Sequence, residues 1–279
     1  MYDRIGFMQG RLSPLIDGRI QAFPVENWKD EFPLAQRINI RLMEWTLDQE
    51  GLYENPLLTE TGQAEIRALC KSHDLSIPSL TGDCFMQAPL WKAQGVQRIA
   101  LERDFVEIAK GCAAVGITML VMPLVDNGRL EGADQENDLV HFLESQSDFL
   151  IAHRLKVLFE SDYLPQELTR FIARLDPLLF GINYDIGNSS ALGYNSQREF
   201  AAYGQRVINV HVKDRVLGGT TVPLGTGSAN FDVVFAGLAQ INYRGNFILQ
   251  TARDVVGNHA DTLCIYRDMT ADWLKRYAT

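Results

Sequence analysis

The chain has 279 residues, of which 46% are apolar and 22% charged, ordinary proportions for a globular protein with a large packed core and not those of a disordered chain. Its formal net charge of −9 argues against a nucleic-acid surface and against attraction to anionic membranes, leaving a small molecule as the expected partner. No membrane-length apolar run and no signal-type segment is present, so a cytoplasmic location is expected.

Taken in order, Ile5 to Met8 reads as the first strand, followed by an insert from Leu12 to Pro24. Asp17-Gly18 in that insert is a hairpin signal, and such an excursion either covers a pocket mouth or decorates the surface. A helix is expected over Glu26 to Ile38, with Pro33 placing its continuity in question. Ile40 to Trp45 is the second strand, and Glu44 near its end reads as a loop or arginine-paired carboxylate before it reads as a rim residue. Glu60 to Ser72 has helical spacing, and Leu75 to Leu80 is the third strand, weakened by Pro78. The loop from Thr81 to Met86 is unusually apolar. Helices over Arg98 to Val115 and Asp134 to His153 flank a fourth strand, Ile117 to Met122.

The second half keeps the rhythm. Strands are expected at Lys156 to Phe159, Phe180 to Asp185, Arg206 to His211 and Asn246 to Leu249, with helical stretches at Pro165 to Leu175, Phe231 to Gln240 and Asn258 to Lys275. Strands alternating with helices at short spacing predict an α/β fold, a single-domain (β/α)₈ TIM barrel over residues 1–279. Cys70, Cys84, Cys112 and Cys264 form no CxxC pair and read as buried thiols. His73, His141, His153 and His259 fall in helical stretches and read as surface or packing residues.

Four of these strands end in a polar residue: Glu160, Asp185, His211 and Gln250. Parallel barrel strands deliver such residues to one rim, where barrel active sites lie. The four would form a mixed oxygen and nitrogen set suited to a divalent ion such as Mn²⁺, Mg²⁺, Zn²⁺ or Co²⁺. Singly, Asp185 reads equally well as a helix cap and His211 as a core histidine; it is their joint placement that points to a metal.

Glu160, then Asp185-Ile186-Gly187-Asn188, then His211-Val212-Lys213-Asp214, then Pro223-Leu224-Gly225-Thr226-Gly227 resembles the xylose-isomerase-like sugar-phosphate isomerase and epimerase superfamily. Within it the order is most similar to the L-ribulose- or L-xylulose-5-phosphate 3-epimerase branch. The resemblance implies a metal held by Glu160, Asp185, His211 and the residue at 250, with two glutamates as the proton-transfer pair. It also implies substrate contacts by Asn188 and a homo-oligomer. Lys213 either meets a phosphate or pairs with Asp214, and Arg253, just beyond Gln250, is a second candidate anion contact. The glycine-rich segment from Leu217 to Asn230 offers backbone amides where barrels often bind phosphate.

Position 250 departs from the family pattern, because an amide neither gives nor takes a proton at neutral pH. The resemblance thus implies a divalent-metal-dependent isomerase or epimerase of a ketose or ketose phosphate, acting through an enediolate with Glu160 as base, whose second catalytic position is Gln250. Glu160 and Asp185 alone neutralise a divalent cation, so the ion should be held less tightly and act as a stronger Lewis acid. A one-base isomerisation, another donor such as Glu44 or Asp83, an inosose-dehydratase-like dehydration, and a non-catalytic sugar-binding protein are the alternatives. A nuclease of the same barrel ancestry is disfavoured by the acidity and by only five histidines.

Overall fold

Eight short, mostly apolar runs pair in parallel around a closed ring. We label them β1 Ile5–Met8, β2 Leu42–Thr46, β3 Ser76–Thr81, β4 Met119–Leu124, β5 Lys156–Ser161, β6 Phe180–Asp185, β7 Val207–Val212 and β8 Asn246–Leu249. The ring closes where β1 pairs with both β2 and β8. One main helix follows each strand: α1 Glu31–Arg37, α2 Glu60–His73, α3 Gly95–Val115, α4 Ala133–Ser145, α5 Pro165–Ile172, α6 Ser196–Tyr203, α7 Phe231–Gln240 and α8 His259–Tyr277. The chain is therefore a (β/α)₈ TIM barrel, as the alternation predicts. The computed structural model describes residues 2–254 and 257–277; the extreme ends of the expected 1–279 domain lie outside them.

The strands are buried on both faces, which explains their near-continuous apolar runs. Between strands and helices pack Trp45, Phe105, Phe159, Phe171 and Phe247, all with essentially no exposure. Inside the ring, the same burial holds a polar set that includes Glu44, Ser79, Asn183, Asn209 and His211. Such groups are tolerated there because they hydrogen-bond to one another, with Oδ1 of Asn209 left without a partner.

Several expectations shift in detail. The first helix starts at Glu31 and not Glu26, which puts Pro33 in its first turn, where the missing N–H would have had no helical partner. Pro78 lies within β3, at a register step where Leu42 pairs with Ser76 but Glu44 with Ser79, so the irregularity accommodates it. The helix expected over Asp134 to His153 is two, α4 and Ser147–His153, broken at Gln146. The apolar loop after β3 winds into a short helix, Asp83–Gln87.

The insert after β1 turns at Asp17 and Gly18, both with positive φ, inside an Ile16–Arg19 bridge. Its Ile20 and Gln21 line a cavity at the carboxyl end of the barrel. The carboxylate of Asp48 accepts the Phe23 amide at 2.8 Å, and the guanidinium of Arg11 donates to the Thr251 carbonyl at 2.9 Å and the Ile20 carbonyl at 3.1 Å. All four cysteines are free thiols. Among the described residues, no helix is long and apolar enough to cross a membrane.

Candidate metal centre and active site

The site begins with the register of β6 on β7. Asn183 pairs with Asn209 and Asp185 with His211, so two polar residues on each strand share the inward face, two positions apart. Glu160 comes from β5, opposite Pro123 of β4. One donor atom from each of Glu160, Asp185 and His211 lies within 4.8 Å of the others. Three of the four predicted ligands thus converge on one point at the carboxyl ends of the strands.

His211 is fixed from both sides. Its Nε2 lies 2.7 Å from Oε1 of Glu44, while Nδ1 faces Oε2 of Glu160 at 3.1 Å and Oδ2 of Asp185 at 3.9 Å. Burial opposes the imidazolium, but Glu44 and Glu160 outweigh it and raise the pKa of His211 to about 10. For Glu44, burial pushes upward, yet the His211 charge and the bonds from His211, Ser79 and Thr81 leave its carboxyl below the ordinary value.

Glu44 is the main correction to the sequence reading. It is neither solvated in a loop nor paired with an arginine: it has no exposure and sits within the ring. Ser79 donates to it at 2.6 Å, Thr81 at 2.7 Å and Asn209 at 3.0 Å. Asn209 also donates to Oδ1 of Asn183 at 2.8 Å, which turns the Asn183 amide nitrogen toward Oε2 of Glu160 at 2.9 Å. Ser79, Thr81, Asn183 and Asn209 escaped the sequence reading. The signal for the two asparagines was there, since each stands two residues before Asp185 or His211 and so on the same strand face.

Asn188 orients the other oxygen of Glu160, donating from its amide to Oε1 at 2.6 Å, while its backbone N–H is capped by Asp185 at 2.7 Å. Lys213 donates to Oδ2 of Asp185, Oδ1 of Asn188 and Oε1 of Gln250, each at 3.2 Å. Gly187 leaves room for this lysine: a Cβ there would fall 2.6 Å from its Cγ. Gln250 is thereby brought to the same centre, but its oxygen is shared with an ammonium. Its amide nitrogen donates to Gln21 of the insert at 2.8 Å, and Gln21 in turn donates to Asp83 at 2.6 Å.

Two expected anion contacts are committed elsewhere. Arg253 donates to the backbone carbonyls of Ser13 and Ile20, holding down the insert, and is not among the residues that line the cavity. The glycine-rich loop turns its amides inward: Gly225 and Gly227 donate to Oδ2 of the buried Asp214 at 2.9 and 2.8 Å, and Ala229 to Oδ1 at 3.2 Å. Those three amides are therefore not presented to a phosphate. Asp214 pairs with this loop and not with Lys213.

Above the Glu160 side of the centre lies a cavity of about 440 Å³, large enough for a small sugar, lined by Gln21, Asp83, Glu160, Asn188, Lys213 and Gln250 among others, with Asp185 and His211 set behind its wall. Arg129 and Arg215 also line it. Arg215 donates to Asn188 at 2.7 Å, and Arg129 is paired with Asp162 at 2.5 Å.

The donor set suits a divalent cation. Two carboxylates and an imidazole form an N,O,O group, and the His211 nitrogen remote from it is held by a carboxylate, the arrangement that fixes the tautomer of a metal-ligating histidine. A model of the xylose isomerase-like TIM barrel family matches residues 32–277. The chain belongs to that family.

Among curated proteins, the L-ribulose-5-phosphate 3-epimerase UlaE of Salmonella paratyphi C (strain RKS4594) is 24% identical over 264 residues, covering 90% of this chain and 89% of its own. Solved structures with the same fold include the IOLI protein with a binding zinc atom (TM-score 0.76, 15% identity, 99% of both chains). The D-allulose 3-epimerase from Methylomonas sp. superposes with a TM-score of 0.75 at 15% identity, covering 97% of this chain and 98% of its own. The 3-keto-D-glucoside 4-epimerase YcjR from E. coli does so with a TM-score of 0.69 at 17% identity, covering 95% and 99%. The relatives of this xylose isomerase-like barrel are thus named as sugar epimerases, and one of its structural neighbours carries zinc.

Proposed function

We propose that this protein is a divalent-metal-dependent isomerase or epimerase of a ketose or ketose phosphate. The observation that carries the reading is the convergence of Glu160, Asp185 and His211 beneath a sugar-sized cavity, with the far nitrogen of His211 held by Glu44. The names of the curated relatives support a sugar as substrate.

In this reading Glu160, Asp185 and His211 would hold the cation, and the amide oxygen of Gln250, which now accepts from Lys213, would be a fourth, neutral ligand. Once bound, a divalent ion supplies Lewis-acid stabilisation of the charge that develops as a carbon beside the ketone loses its proton. Glu160 is the base that takes this proton. Asn183 and Asn188 each donate to one of its oxygens, which aims it. Lys213 offers positive charge next to the developing oxyanion. In this reading Asn188 and Arg215 orient the sugar hydroxyls, and Arg129 and Arg215, which line the cavity while Arg253 does not, would leave Asp162 and Asn188 to meet a phosphate arm.

The test is solvent exchange. Protein stripped by a chelator and reloaded with Mn²⁺ should incorporate deuterium from D₂O next to the carbonyl of at least one member of a panel of pentuloses, hexuloses and their phosphates. Glu160→Gln should lose that exchange by about 10²-fold or more. Absence of exchange with the whole panel, in protein shown to have bound Mn²⁺, would refute the assignment.

A further inference from the structure

Inverting a carbon centre needs a proton removed on one face and supplied on the other, and Gln250 cannot carry the second proton. The structure holds another carboxyl group at the same cavity. Asp83 opens the short helix after β3 and is fixed by its neighbours: Gly82 donates its amide to the Val121 carbonyl at 3.0 Å and Cys84 to the Leu47 carbonyl at 2.9 Å. Its side chain is only 8% exposed, yet it lines the cavity together with Glu160, Lys213 and Gln250.

Asp83 is also wired to Gln250. Gln250 donates to Oε1 of Gln21 at 2.8 Å, and Nε2 of Gln21 donates to Oδ2 of Asp83 at 2.6 Å. An amide at 250 keeps this chain of donors and acceptors in one direction; a carboxylate there would set two acceptors, its own oxygen and Oε1 of Gln21, against each other. Gln250, Gln21 and Asp83 therefore form one hydrogen-bonded unit. Glu160 lies near the carboxyl end of β5 and Asp83 follows β3, with β4 between them in the eight-stranded ring, and both line the cavity.

We propose that Asp83 and Glu160 are the proton-transfer pair of this site, serving opposite faces of one substrate carbon, with Gln21 and Gln250 as positioning residues for Asp83. This rests on the reading of the site as a metal-assisted ketose epimerase. The Glu160 carboxylate takes the proton and leaves the C–H electron pair on the substrate as an enediolate. The carboxylic acid of Asp83 gives its proton to the other face of that carbon, and the electron pair forms the new C–H bond. Glu160 ends protonated and Asp83 ionised, and exchange with water resets both. Burial favours the protonated acid that this role requires, raising the pKa of Asp83 to about 7, with the Gln21 bond opposing and the charges of Asp48 and Glu160 adding to it.

The experiment uses the Mn²⁺-loaded full chain in D₂O with each epimer of a ketose that the unaltered protein deuterates. Asp83→Asn should still wash deuterium into the epimer served by Glu160 while conversion to the other epimer falls at least about 100-fold. Mn²⁺ affinity, read by electron paramagnetic resonance, and the melting temperature should remain those of a folded, loaded protein, and Asp83→Glu should restore part of the conversion. Conversion by Asp83→Asn at the original rate overturns the proposal. So does an equal loss of exchange and conversion with Mn²⁺ affinity intact, which would make Asp83 structural. If the unaltered protein deuterates no ketose, the epimerase reading fails first and the pair falls with it; if it deuterates one and Asp83→Asn converts normally, only the pair fails.

Discussion

Glu44 and His211 meet inside the barrel at 2.7 Å, both buried, and through this contact β2 fixes an imidazole that belongs to β7. Glu44→Gln keeps the volume but removes the charge that holds the Nε2 proton, so Mn²⁺ or Zn²⁺ affinity should drop about 10- to 100-fold. Glu44→Ala also strands a buried imidazolium and three donors, and should cost roughly 3–5 kcal/mol of stability. Chelator-competition titrations and thermal melts measure the two effects; unchanged metal affinity in Glu44→Gln would remove Glu44 from the metal site.

The same contact sets opposite pH dependences for the two states. In the metal-free protein His211 titrates at about 10, above its unfolded value, so its contribution to stability is complete below about pH 6.5 and is lost as the pH rises through 10. A cation must displace the proton on Nδ1, so apparent metal affinity should rise about tenfold per pH unit over the same range until that pKa is reached. Calorimetry in buffers of different ionisation enthalpy should therefore show close to one proton released per ion at pH 7.

Most of the barrel could be read from the chain because parallel strands buried on both faces leave apolar runs, and their polar last residues stand out. Glu160, Asp185 and His211 were legible for that reason. Glu44 was not, because its meaning lies in a contact with His211, 167 residues away, and an isolated carboxylate near a strand end reads as solvated. Gln21 was hidden similarly, inside an insert whose path across the barrel mouth is set by Arg11, Asp48 and Arg253. Lys213 and Asp214 are adjacent in sequence, yet strand alternation sends one to the metal centre and the other into the glycine loop.

Gln250→Glu tests what the amide does. A third carboxylate beside Lys213 should tighten Mn²⁺ binding about tenfold or more through added charge. It would also break the donor order through Gln21 to Asp83 and restore a proton carrier on β8. We therefore expect ketose turnover to change, with a gain showing that a carboxylate at 250 can carry a proton in this site. Identical kinetics and identical Mn²⁺ affinity would show that position 250 touches neither the ion nor the reaction.

Asp214 offers a final prediction that is separable from catalysis. Its carboxylate is fully buried and satisfies the amides of Gly225, Gly227 and Ala229. Asp214→Ala removes three charge-assisted bonds at once and leaves the donors of a tight loop without an acceptor, a loss of about 2–4 kcal/mol. Asp214→Asn keeps one acceptor oxygen and should lose about half of that. The melting temperature should fall in that order, and limited proteolysis should cut first between residues 217 and 230. Because Lys213 and His211 lie on elements held independently by Asp185 and Glu44, Mn²⁺ affinity should change less than about threefold in Asp214→Asn. A melting temperature unmoved in both variants would mean that the glycine loop is held by something other than this carboxylate.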